Sequence, residues 1–63
     1  MGSQMSNTPK VVIEANSREA MMEKVPSFPS HVTIKWEDGE VESFCYSLAA
    51  YDELVELAVD LMN

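Results

Sequence analysis

The chain has 63 residues, 46% of them hydrophobic, a formal charge of −7 and one cysteine. A chain this short makes one domain and buries less apolar surface than most stable domains, so disulfides, a metal or a partner subunit are the usual supplements. The lone Cys45 excludes an internal disulfide, and the shortage of bases argues against direct binding of nucleic acid or an anionic membrane.

Met1 to Gln4 reads as a cloning remnant, and residues 1–9 as a disordered tail ahead of a single α+β domain over residues 10–63. "KVVIEA", Lys10 to Ala15, is rich in β-branched residues and predicts a strand. Asn16 with Glu19 three residues later has capping-box spacing, which predicts a short helix from Ser17 to Lys24 with Met21, Met22 and Val25 on one face. "VPSFPS" ends that helix, because Pro26 and Pro29 lack N–H donors and restrict the residues before them. Phe28 between them is the expected anchor of the loop.

His31 to Tyr46 alternates on both sides of Asp38-Gly39, the signal for a hairpin with a type I′ turn. That turn pairs Glu37 with Glu40, Trp36 with Val41, Lys35 with Glu42 and Thr33 with Phe44. Val32, Ile34, Trp36, Val41, Ser43 and Cys45 then form the core face. His31, Thr33, Lys35, Glu42, Phe44 and Tyr46 fall on the other. Phe44 and Tyr46 thus leave the core face; either a second layer or a bulge covers them, or they belong to an interface.

Ser47 is a good N-cap for the last helix. On a helical wheel its apolar residues fill an arc of about 200°, whereas a helix lying on one sheet needs about 100°. The surplus calls for a second neighbour, either the first helix or another copy of the chain. Asp52, Glu53, Glu56 and Asp60 fill the polar side. The fold class is therefore α+β, in the order β-α-β-β-α, with a small three-stranded sheet and helices packed on one face.

Charge is distributed unevenly. Four bases and three acids lie before Glu37, and from Glu37 to the end there are eight acids and no base. Asp52, Glu56 and Asp60 repeat at i, i+4, i+8, a spacing at which like charges weaken a helix. Asp60 also sits in the last turn, where the helix dipole disfavours a negative charge. Local stability does not explain this pattern. Solubility is one explanation. The other is an acidic surface made with Glu37, Asp38, Glu40 and Glu42 of the hairpin, offered to a basic protein groove.

Catalysis and metal binding find little support. An EF-hand loop with Gly39 at its sixth position would begin at Ile34 and end at Cys45, which are not oxygen ligands. One histidine and one cysteine cannot fill a zinc shell, and no glycine-rich phosphate loop or nucleophile–base set is present. The expectation is a non-enzymatic chain without cofactors. No apolar run reaches the roughly 18 residues of a membrane span, and no signal peptide is visible. A single thiol suits the reducing cytoplasm.

"WEDGEVE" and "YDELVELAVDL" make the chain resemble small phage-encoded inhibitors of the anti-CRISPR and DNA-mimic kind. The resemblance covers the last half of the chain. It implies a cytosolic bacterial target, a larger basic protein whose nucleic-acid groove the carboxylates from Glu37 to Asp60 would occupy, with Phe44 and Tyr46 as the apolar anchor. The alternative is a small homodimer or accessory subunit, assembled through the last helix or an open sheet edge.

Overall fold

The computed structural model describes residues 8–63. The cloning remnant and most of the expected tail fall outside these residues. The elements are β1 (Lys10–Glu14), α1 (Arg18–Glu23), β2 (Ser30–Trp36), β3 (Gly39–Cys45) and α2 (Leu48–Met62). The order is β-α-β-β-α, as the sequence predicts, and the sheet order is β1-β2-β3.

β1 runs parallel to β2, pairing Lys10 with His31 and Glu14 with Lys35. The His31 N–H donates to the Pro9 carbonyl (2.9 Å) and the Ala15 N–H to the Lys35 carbonyl (3.0 Å), so pairing extends one residue past the strand at each end. Ala15 is thus still held by the sheet, and the chain turns at Asn16. This moves the helix cap one residue beyond its expected place. Ser17, not Asn16, is the N-cap, and its Oγ accepts the Ala20 N–H at 3.1 Å. The third helical residue is then Ala20, which cannot reach back, so the Asn16–Glu19 box does not form. At the other end Lys24 Nζ donates to the Glu14 carbonyl at 2.9 Å, tying the end of α1 to the end of β1. Phe28 is half-buried with its ring 6.2 Å from that of Tyr51, the anchoring role its sequence position predicts.

The hairpin differs from expectation by two residues. Trp36 pairs with Gly39, Ile34 with Val41, Thr33 with Glu42 and His31 with Phe44, and Glu37 and Asp38 make the turn. No described residue has positive φ, which excludes type I′. The reason lies in the packing of Trp36. A Cβ on Gly39 would stand 3.1 Å from Trp36 Cζ2, so glycine lets the indole lie against the facing strand. A slip of two residues preserves side-chain direction, and the predicted faces therefore hold: Val32, Ile34 and Cys45 are buried, and Lys35, Glu42, Phe44 and Tyr46 are exposed.

α2 is capped by Ser47, whose Oγ accepts the Ala50 N–H at 3.3 Å. Tyr51, Leu54, Val55 and Ala58 face the sheet. The Tyr51 hydroxyl donates to the Met21 carbonyl, which joins α2 to α1. Ile13, Met21, Val32, Ile34, Cys45, Tyr51 and Val55 form one buried cluster between helices and sheet. Each fully buried large apolar side chain contributes about 1.5–3 kcal/mol of burial energy, and this cluster is what the fold rests on.

Candidate functional site

Helices cover one face of the sheet, and no described element covers the other, the open face. The open face carries Lys10, Val12 and Glu14 from β1, His31, Thr33 and Lys35 from β2, and Glu40, Glu42 and Phe44 from β3. Here Glu42 Oε1 accepts from Thr33 Oγ1 at 3.3 Å and lies 3.3 Å from His31 Nε2. The polar side of α2 faces away from the sheet, because its apolar side packs on the sheet's inner face. Glu40 and Glu42 therefore point to the opposite side of the molecule from Asp52, Glu56 and Asp60, with Glu37 and Asp38 at the hairpin tip. The single continuous acidic flank expected from the sequence does not form.

One part of the helix acidity is also compensated. Arg18 Nε donates to Glu56 Oε2 at 3.1 Å, Nη2 donates to the same oxygen, and Nη2 lies 3.4 Å from Asp52 Oδ1. The guanidinium pKa is raised, first by the hydrogen bond to Glu56 and then by that carboxylate's charge. Such an exposed cluster adds little stability, but it removes two carboxylates from the free acidic surface. No pattern in the sequence marks Arg18, since it meets Glu56 only once α1 packs on α2.

No described element covers the other long side of α2. A groove of about 350 Å³ runs between Ser43, Phe44 and Tyr46 on one wall and Ala50, Glu53, Leu54 and Leu57 on the other. Phe44 is 44% exposed, Tyr46 70%, Leu57 51% and Leu61 58%, far above the core around them. The two rings stack at a tilt, 5.9 Å apart, instead of folding inward. The structure thus brings together Phe44, Tyr46 and Glu53 of the expected contact residues and adds Leu57, Leu54 and Ala50. The helical wheel already places Leu57 and Leu61 on one shoulder; only the coordinates set that shoulder beside β3.

The backbone of β3 is exposed along the same line. His31 and Lys35 turn their hydrogen-bonding groups toward β1. Alternate residues of a strand turn these groups to opposite sides, so the even-numbered residues of β2 bond β3 through Gly39, Val41, Ser43 and Cys45. Glu40, Glu42 and Phe44 then direct theirs to the free side, where no described element lies.

The chemistry available elsewhere is limited. A second cleft, about 710 Å³ at the hairpin end, is lined by groups of both signs, Glu14, Lys35, Glu37 and Glu40, around Trp36. Among the described residues no group of three or more His, Cys, Asp or Glu side chains is placed to hold a metal ion. Burial pushes the Cys45 thiol up, away from the thiolate that attacks or ligates. Among the described residues no helix is long and apolar enough to cross a membrane. No protein-family model matches the chain, and no curated protein or solved structure matches it.

Proposed function

We propose that the chain is a non-enzymatic binding protein that docks on a larger basic protein through the apolar shoulder beside β3. The observation that carries this reading is the exposure of Phe44, Tyr46 and Leu57 along one groove, with Leu61 exposed a turn further along α2. Contiguous apolar surface of this kind marks contact sites on soluble chains, and aromatic anchors dominate binding energy. The acids supply sign and speed: at a net charge of −7 the chain is steered toward positive surfaces. A groove lined with Lys and Arg in a nucleic-acid-processing complex is such a surface, and occupying it makes the chain an antagonist of the anti-CRISPR kind.

The test is capture of the partner from bacterial lysate by immobilised chain, at low and high salt, with two variants. Capture is expected to fall steeply with salt and to vanish in Phe44→Ser/Leu57→Asp. It should survive amide replacement of Asp52, Glu56 and Asp60, which lie away from the groove. Loss in the amide variant with retention in the groove variant would instead place binding on the helix acids and overturn the reading.

A homodimer is the second reading, favoured by the same unpartnered shoulder of α2. Light scattering across a dilution series decides it: a mass of two chains supports the dimer, and a constant single-chain mass rejects it.

A further inference from the structure

We infer that the free edge of β3 is completed by a strand from the partner, an extended segment in which Lys or Arg alternates with apolar residues. The inference rests on the docking reading above and specifies how the groove is filled. Three observations converge on it. The N–H and C=O groups of Glu40, Glu42 and Phe44 face outward from an end strand, a template for a further strand. The groove between β3 and α2 lies against that edge, with Ala50, Leu54 and Leu57 on its helix wall, so an added strand would continue the sheet beside the helix. The charges beside the edge are all negative: Glu40 and Glu42 lie outermost on the open face, and Glu53 is the one charged residue of the groove. The bases of that face, Lys10 and Lys35, sit on inner or far strands.

Side chains of an added strand alternate between the two faces. Those on the open face meet Glu40, Glu42 and Phe44, where Lys or Arg pairs with the carboxylates and stacks on the ring. His31 and Thr33 already hold one oxygen of Glu42 from the inner side, so its second oxygen is the one offered outward. Those on the helix side meet Leu54 and Leu57 and are apolar. Acids on the edge also select against a second copy of this chain. A two-fold pairing centred on Glu42 would set Glu42 against its mate, and like charges directly opposite are destabilising. One pattern of charge thus disfavours the self-pairing centred on Glu42 and admits a basic strand.

The experiment uses the full chain and a ten-residue peptide of alternating lysine and valine. Amide hydrogen exchange is followed by NMR with and without the peptide. At saturation, the expected result is at least about tenfold slower exchange at Glu40, Glu42 and Phe44, no such change across β1, and shifted Leu57 methyl signals. N-methylating alternate peptide amides, which leaves charge intact, should weaken binding at least about tenfold. Equal binding of the N-methylated peptide, or Leu57 shifts without edge protection, would overturn strand addition while leaving the docking reading standing. No perturbation anywhere along the groove would remove both. Protection of the edge amides in the chain alone, rising with its concentration, would assign the edge to a second copy.

Discussion

The two long sides of α2 can be compared directly. On one, α1 packs alongside, Arg18 clasps Asp52 and Glu56, the Tyr51 hydroxyl reaches the Met21 carbonyl, and Val59 is half-buried. On the other, Leu57 lines a groove with Phe44 and Tyr46, and Leu61 a turn further on is exposed, with no described element over them. The apolar arc is wider than the sheet requires on both flanks, yet the described residues supply a neighbour for only one. The closed side therefore carries stability, and the open side carries surface available to something else.

Substitutions on the two sides should separate these roles. The largest effect is expected from Tyr51→Phe, which removes one of the two donors to the Met21 carbonyl, the other being the Lys24 N–H at 3.2 Å, and costs about 0.5–1.5 kcal/mol. For a domain of this size that is a large share of the total, and it would appear as a lower urea midpoint. An unchanged midpoint would mean that the α1 contact does not stabilise the closed side.

Alkaline pH probes the closed side without mutation. Burial raises the Cys45 thiol, and it raises the Tyr51 phenol with a further contribution from Cys45. Both groups are neutral when protonated, and the unfolded chain releases these protons first, at about pH 8.5 for the thiol and about pH 10 for the phenol. Their stability contribution is full below about pH 8.5 and is lost as pH rises through the folded values. Urea midpoints that stay level from neutral to strongly alkaline pH would contradict this. The smallest effect belongs to the open side. Leu57→Gln and Leu61→Gln should each change stability by no more than about 0.5 kcal/mol. A larger loss in calorimetry would show that the shoulder is part of the core.

Much of the architecture was readable before folding. β-branched runs, alternation, Ser47 and the wide apolar arc of the last helix gave the elements and their inner faces. Two local rules failed because a neighbour intervened. Asp38-Gly39 favours one turn, but the indole of Trp36 settles on Gly39 and shifts the pairing. Asn16 makes an acceptable cap, but the hold of the sheet on Ala15 hands that role to Ser17. The acidic flank failed for a reason already latent in the pattern: in a two-layer protein, the polar face of a strand and the polar face of the helix covering its other side point in opposite directions. Arg18 and Glu56 stand 38 positions apart, and no periodicity foretells their meeting. The groove was half legible, since the wheel gave Leu57 and the strand gave Phe44, but only the packing angle sets them side by side.

The seat of Trp36 on Gly39 has a practical consequence. This is the sole tryptophan, so intrinsic emission of the chain is a local gauge of whether the ribbon tip is closed. It is blind to fraying at the far end of α2, which ellipticity would register. Superimposable melting curves from the two optical signals would mark a cooperative all-or-none transition, and a lag between them would time which layer loosens first.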